Sequence, residues 1–384
     1  MRVVVAGAGI AGLTLAHRLA TAGHDVVVLE RAPGPRTTGY MIDFFGPGYD
    51  VAEHMGLLPR LRGLGYSITE ASYVDPHGRR VAGLAFDRFA RSLGGRLVSI
   101  LRPDLERALR EDLPDGVELR FGAAVTRVRD DAGGATATLA DGTRVAGDLL
   151  VGADGVHSAV RRLVFGEGHV RHLGFHTAAF TFTDPEVHAL VAGRFCVTDT
   201  TGRQVGLYGL RDGRVAAFTV HRAPSPRLPD DARAAVREVY GSLGWVVPRA
   251  LERCPAEVYY DQVAQVELPH WTTGRVALVG DACGAVSLLA GQGASLGMGG
   301  AHLLASRPDD PAGYEREWRP VVADKQRVAR SAARWFLPDS VLRLRARRVV
   351  MRLAGLPGVD RLVAGGLVGK PVAVPRTGQR GGAS

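Results

Sequence analysis

The stretch that most constrains this chain lies at its start. An apolar run, Arg2-Val3-Val4-Val5-Ala6, enters Gly7-Ala8-Gly9-Ile10-Ala11-Gly12, and a second apolar run follows that ends on Glu30. The hydrophobic period is strand-like over 2–6, helix-like over 11–22 and strand-like again over 25–30, the order of a βαβ unit. Each small residue has a physical use. Gly7 permits a tight turn, Gly9 lets the backbone approach a pyrophosphate, and Gly12 lets the helix pack closely. With Ala11 at its start, that helix offers free N–H groups to phosphates. Glu30 can accept hydrogen bonds from ribose hydroxyls. A glycine turn of purely structural use is the competing reading, but an acidic residue at this distance favours a dinucleotide, NAD or FAD.

The rest of the chain alternates between two textures. A β-rich hairpin over 66–86 turns at Asp75-Pro76-His77-Gly78, and a helix with Pro103 in its first turn covers 102–113. Short strands are expected over 117–121, 124–129, 135–139 and 143–150, with Asp141-Gly142 as a hairpin turn. Alternation over 174–222 reads as an antiparallel sheet. A fully apolar strand over 275–279 then returns the chain to the first subdomain, and an arginine-rich helical tail follows Tyr314, with a helix over 340–354 capped by Asp339 or Ser340.

Two later segments discriminate between the dinucleotides. One is Gly152-Ala153-Asp154-Gly155-Val156-His157-Ser158-Ala159-Val160-Arg161; the other is Gly280-Asp281 followed by Gly291-Gln292-Gly293-Ala294-Ser295. Together with Glu30-Arg31, Arg102 before Leu105 and Leu109, and Tyr314-Glu315 with Arg319-Pro320 in the tail, they resemble the class A flavoprotein monooxygenases, the para-hydroxybenzoate hydroxylase-like family. The likeness is greatest to its bacterial members that act on polyketide or tetracycline-type substrates. It covers the nucleotide framework and hardly touches the sheet.

The resemblance implies an α/β fold in which a Rossmann-like FAD-binding domain (1–65, 94–172 and 266–305) is interleaved with a substrate domain on an antiparallel sheet (66–93 and 173–265). C-terminal helices over 306–372 and a disordered tail over 373–384 complete it. It also implies FAD as cofactor and NADPH or NADH as transient reductant. Asp281 is then expected at the ribityl or pyrophosphate part of FAD, and Gly291, Gly293, Ala294 and Ser295 beside the isoalloxazine. Arg102 and Arg36 would meet the pyrophosphate, Arg31 would cap the adenine side, and Asp154 would order the loop. The implied reaction is hydroxylation or another oxygenation of an aromatic or polyketide-like small molecule.

The sequence departs from the family pattern at Cys283 and Gly284, where Ala-His is usual, and at Leu288, where a proline is usual. These departures keep open a flavoprotein cyclase or isomerase in which FAD is structural or non-redox. For substrate-side acid–base work Asp43 is the first choice and Tyr208 the second, with Tyr40, Tyr49, His176 and His221 as further candidates. Asp43 could equally serve as a turn carboxylate before Gly46-Pro47-Gly48. Phe180, Phe195 and Leu288 are expected to line the substrate pocket.

Other function classes find less support. The net charge of +9 is carried almost wholly by arginine, since lysine occurs only at Lys325 and Lys370, and no nucleic-acid motif accompanies it. Cys196, Cys254 and Cys283 include no CxxC pair, the histidines show no metal-ligand spacing, and Ser158 sits in no nucleophile elbow. The sequence thus predicts no metal, no disulfide framework and a reducing cytoplasm. Residues 282–301 carry no charge, but their glycines argue for a buried loop and helix over a membrane span. A monomer or homodimer is expected, with no stable membrane insertion. The tail arginines are expected on a helix that docks an apolar face on the body.

Overall fold

A computed structural model describes residues 1–353 apart from 37–38, 87–89, 92, 132 and 289–290. The expected continuation of the helical region over 354–372 and the tail over 373–384 lie outside these residues.

The opening forms as read. Strand Arg2–Ala6 leads to helix Ile10–Thr21 and strand Asp25–Leu29, and the two strands pair in parallel from Arg2↔Asp25 to Ala6↔Leu29. Both strands are buried from their second residue onward, as a parallel sheet covered on both faces requires. Glu118–Arg120 extends this sheet on one side, and Leu149–Gly152 and Val276–Leu278 on the other, where the short antiparallel Thr272–Thr273 closes it. The carboxyl ends at Ala6, Leu29, Gly152 and Leu278 therefore lie side by side, at the crevice where open α/β sheets bind ligands.

The strand expected over 143–150 is two strands. Arg144–Gly147 pairs with Gly134–Leu139 in a three-stranded antiparallel sheet, and Leu149–Gly152 pairs with Arg2–Ala6. The chain changes sheets at Gly147-Asp148. A Cβ on Gly147 would lie 2.8 Å from Arg2 O, so only glycine fits that crossing.

A seven-stranded sheet forms the second layer. Its order runs from Tyr259–Val266 through Val170–Thr183, Arg214–Arg222, Arg203–Gly209 and Arg194–Thr200 to the hairpin Glu70–Val74 and Arg80–Ala85. Strand Val170–Thr183 is continuous, so the sheet begins before the boundary expected at 172. Helices Pro185–Val191, Ala232–Tyr240 and Val247–Glu252 bury one face around Phe180, Phe182, Val205 and Leu207. The other face looks toward the dinucleotide crevice. A two-stranded ribbon, Met41–Phe45 with Leu97–Leu101, joins the layers.

The tail residues singled out above anchor helix Pro311–Phe336. Tyr314 Oη donates to Leu278 O at 3.2 Å, and the Glu315 carboxylate accepts from Trp271 N at 2.9 Å and Thr272 N at 3.1 Å.

Helix Val341–Leu353 docks by a mixed face that buries Leu344 together with an arginine. Leu342 is 79% exposed and Val349 51%, whereas Arg347 is buried. Arg347 and Arg348 both pair with the fully buried Asp199 carboxylate, and Arg347 donates to Phe336 O at 2.6 Å while lying over the Tyr73 ring. Periodicity could not reveal this, because the apolar partner of a basic helix and a buried acid look alike until the sheet edge is placed. Removing one member of a buried ion pair strands the other charge, at about 3–5 kcal/mol. Asp199→Ala is accordingly expected to lower the melting temperature by several degrees and to make this helix susceptible to limited proteolysis; an unchanged melting curve would contradict the clamp.

Histidines introduce acid sensitivity. Burial lowers His302 and His221 to about 4, His176 adding to the effect on His221. An unfolded histidine titrates near 6.5, so the unfolded chain binds more protons between pH 6.5 and about 4. The stability these two groups contribute is complete above pH 6.5 and is lost as the pH falls through that window. Thermal melts from pH 7.5 to 4.5 should show the loss, with a shallower slope in His221→Gln.

Candidate FAD-binding and active site

One cavity of about 1340 Å³ runs between the two layers. Its lining joins Gly9, Ile10 and Ala11 of the first turn to Asp154, Gly280 and Asp281, to Gly291, Gly293 and Ala294, and to Phe195, Tyr208 and Phe218 of the large sheet.

The turn has the geometry its glycines imply. Gly7 has φ +114°, and a Cβ there would lie 2.5 Å from Ala153 O; a Cβ on Gly12 would run into Gly7 O. Gly9, in contrast, has only Glu106 Oε1 nearby, at 3.9 Å, so its face is open to the cavity. Helix Ile10–Thr21 has no side-chain cap at Gly9, and helix Gly293–Ala305 has none at Gln292. Two helix ends thus retain N–H groups suited to an anion.

The late segment reaches the same place. Gly280 has φ +65°, and a Cβ on it would press on Ala11 Cβ at 2.7 Å, so the turn after strand Val276–Leu278 rests on the start of the first helix. This contact brings Asp281 beside a motif that precedes it by some 270 residues. Burial pushes the Asp281 carboxyl up, and the Arg102 guanidinium partly offsets that. Burial opposes charge on Arg102 too, but Glu106, Tyr40, Tyr259 and Asp281 raise it overall, and Arg102 Nε donates to Glu106 Oε1 at 3.1 Å. A guanidinium held by neighbouring acids at the cavity wall is a ready partner for a pyrophosphate.

The remaining expected cofactor residues divide. Arg31 and Arg36 line the exposed mouth. Glu30 stands at the turn with its carboxylate accepting from Ala8 N and Ala32 N, each at 2.9 Å, which fixes its orientation, and it is not among the residues that line the cavity. Asp154 lines the cavity while accepting from Ala159 N and Val160 N, and so orders the loop before helix Ala159–Phe165. Ser295 does not reach the cavity; it packs against Gly48, whose absent side chain makes room for it.

On the substrate side, Phe195, Tyr208 and Leu288 line the cavity, but Phe180 does not. Phe180 shares the opposite sheet face with Phe182, as do His176 and His221, which pair across neighbouring strands. Tyr49 is likewise buried elsewhere, beneath Arg96. Alternation puts successive residues on opposite faces but does not say which face meets the ligand.

Asp43 lies in the wall, where burial pushes its carboxyl up and a 2.7 Å hydrogen bond from Ser99 Oγ pulls it back. Tyr208 Oη accepts from Met41 N at 2.6 Å, and burial pushes its phenol well above the ordinary range, which makes it a neutral hydrogen-bonding group.

Sequence reasoning did not assign Glu106, His157, Phe218, Tyr259 or Asp261 to the site, yet all of them line the cavity. His157 Nε2 meets Asp261 Oδ1 at 3.0 Å across the two layers, and Tyr40 packs on Phe218 and Tyr259 at ring distances of 5.4 and 5.8 Å. The Asp154-Gly155 loop could have pointed to His157; nothing local points to the others.

Cys283 is a structural thiol. Burial pushes it well up, and its Sγ donates to Gly280 O at 3.4 Å. A Cβ on Gly284 would lie 2.8 Å from Val322, with Trp271 close behind, so a histidine here would not fit without rearrangement.

Among the described residues no cluster of His, Cys, Asp and Glu is arranged to hold a metal ion, and no helix is long and apolar enough to cross a membrane.

An uncapped glycine turn, an open face at Gly9, a half-buried arginine and a second turn converging on the first fit an extended flavin dinucleotide. The chain matches the FAD binding domain family over residues 1–307 and belongs to it. It is 35% identical over 361 residues to an uncharacterized protein of Mycobacterium tuberculosis, covering 88% of this chain and 93% of the relative. It is 29% identical over 388 residues to the FAD-dependent monooxygenase asL4 of Sarocladium schorii, covering 88% and 89%. Among solved structures, tetracycline destructase Tet(55) superposes with a TM-score of 0.82 at 26% identity, covering 97% and 98% of the two chains. Klebsiella pneumoniae HpxO, complexed with FAD and uric acid, shares the fold with a TM-score of 0.78 at 24% identity, covering 96% of each. The protein is an FAD-dependent monooxygenase of the class A type.

Proposed function

We propose that the enzyme hydroxylates or otherwise oxygenates a sizeable aromatic or polyketide-like molecule in secondary metabolism, such as antibiotic biosynthesis. The observation that carries this reading is the cavity itself. Its roughly 1340 Å³ exceeds the ~300–1,000 Å³ of an ordinary ligand pocket, leaving room for a substrate beyond the dinucleotide. That extra space lies against Phe195, Tyr208 and Phe218, with Leu288 and Phe336 beside them, a wall suited to flat apolar rings. The name of Tet(55) and the uric acid bound to HpxO, both ring systems, support the same class.

The chemistry that FAD would supply when bound is to pass two electrons from NADPH or NADH to O2, so that one oxygen atom enters the substrate and the other leaves as water. The protein orients, excludes water and handles protons. The Asp43 carboxyl, its pKa raised, is assigned the substrate-side proton, and Tyr208 Oη, held by Met41 N, fixes the ribbon that carries Asp43. Asp281, Arg102, Arg31, Arg36, Glu30 and the glycines of both turns are assigned to FAD. Our reading puts the protein in the cytoplasm, which three buried free thiols support, and takes it as a monomer or homodimer.

The test is NADPH and oxygen consumption by the flavin-loaded enzyme, with tetracycline, urate and a panel of polycyclic phenols as probes. Substrate-stimulated consumption, with product heavier by one oxygen atom, is expected. Conversion in the absence of any nicotinamide would replace this reading with a non-redox cyclase or isomerase.

A further inference from the structure

We infer that the Ser287 hydroxyl donates a hydrogen bond to the isoalloxazine edge of bound FAD, an inference that rests on the FAD reading of this cavity. Ser287 sits in the loop between Asp281–Gly284 and Gly293–Ala305, so residues assigned to FAD flank it on both sides. It lines the cavity and is only 7% exposed, yet its Oγ has no hydrogen-bond partner among the described residues. A buried hydroxyl without a partner is costly, and such groups are normally satisfied by whatever occupies the adjoining space.

The backbone adds an independent observation. Among the described residues only Trp245 and Ser287 adopt positive φ without being glycine, and Ser287 has φ +81°. This strained conformation is held in place from behind. Ala285 O accepts from Val266 N at 3.1 Å and from Gln326 Nε2 at 3.0 Å, and Val286 O accepts from Gln265 Nε2 at 3.1 Å. Gln265 and Gln326 are both buried. Two pinned carbonyls therefore fix where the next side chain lies, a situation in which local strain persists and is often functional.

Position along the cavity selects the ring end of the cofactor. The FAD reading assigns Gly9, Arg31 and Arg36 to the nucleotide end and Arg102 and Asp281 to the middle, and all five line the same cavity as Ser287. Ser287 precedes Leu288, which gathers with Phe218 and Phe336 on one apolar cluster, where the cavity meets the large sheet. An extended dinucleotide starting at the first turn presents its ring system there. A hydroxyl donor aimed at a heteroatom that gains electron density on reduction favours the reduced flavin, because the dipole is already oriented when the charge arrives.

The experiment uses full-length Ser287→Ala and Ser287→Gly proteins loaded with FAD. FAD dissociation constants are measured by flavin fluorescence, and two-electron potentials by equilibration with a reference dye. Both variants are expected to shift the reduction equilibrium about tenfold toward oxidised flavin, about 30 mV for a two-electron couple. Ser287→Gly is also expected to melt higher, since glycine accepts positive φ without strain. A purely structural serine would change the melting temperature and leave the potential alone, and potentials matching wild type in both variants overturn the inference. Should Ser287→Ala fail to fold, Ser287→Gly carries the measurement, its backbone preference being the better match. Wild-type protein that takes up no FAD would overturn both this inference and the FAD reading beneath it, a result distinct from a yellow protein with unmoved potentials.

Discussion

Asp281→Ala protein should leave purification nearly colourless, with FAD affinity reduced on the order of 10- to 100-fold and little loss of fold. The half-buried carboxyl lines the cavity near Arg102, at the point where the Gly280 turn rests on Ala11. A hydrogen bond from a ligand hydroxyl to a charged group is worth about 1.5–3 kcal/mol, and each 1.4 kcal/mol is tenfold in Kd. The fold should survive because alanine is small and the carboxyl's burial already costs stability in the absence of a ligand. Asp281→Asn retains hydrogen-bonding capacity and should bind FAD between the two. Flavin content measured from the visible absorbance after saturation with FAD decides the matter. Full yellow colour in the alanine variant would mean that the late turn does not hold the cofactor.

Asp43→Asn should behave in the opposite way, with normal flavin content and a kcat/KM for substrate lower by on the order of 100-fold or more. A positioned acid or base typically contributes 10²–10⁴-fold, and it works best with its pKa moved toward the operating pH. Asp43 meets both conditions, since it faces the cavity and burial pushes its carboxyl up. Ser99→Ala removes the hydrogen bond that pulls the carboxyl down, so Asp43 should titrate higher still. The acidic limb of the pH–rate profile should then move to higher pH, because the ionised base appears later. Steady-state rates of Asp43→Asn within threefold of wild type, at equal flavin loading, would remove Asp43 from the reaction.

The dinucleotide framework could be read from the chain because its signals are local. Three glycines, two apolar strands and Glu30 fall within one short βαβ unit, and each is demanded by backbone geometry independent of the rest of the protein. The second turn at Gly280-Asp281 was legible for the same reason, as a strand end followed by a glycine. The cavity wall was only partly legible. Phe195 and Phe180 look equivalent in an alternating strand, but cross-strand register puts Phe195 toward the flavin crevice and Phe180 beneath the helices. The strand carrying Phe180 also pairs irregularly with its neighbour between His172 and His176, and one such irregularity exchanges faces in a way that no alternation pattern reports.

What the sequence determined by itself is the α/β class, the glycine turns and a dinucleotide site, because short-range sterics and strand-to-helix periodicity dictate them, while the choice of FAD over NAD came from the family resemblance of the two later segments. What only the tertiary structure decided is which side chains share the site. Asp261 meets His157, Tyr40 meets Phe218, and Arg347 finds Asp199, each pair separated by more than 100 residues of chain. Such contacts depend on sheet order and on how one layer faces another, quantities set by the packing of the whole molecule. The same holds for Ser287, whose hydroxyl is one serine among many in the sequence. It stands out only once its buried surroundings show that no group among the described residues pairs with it.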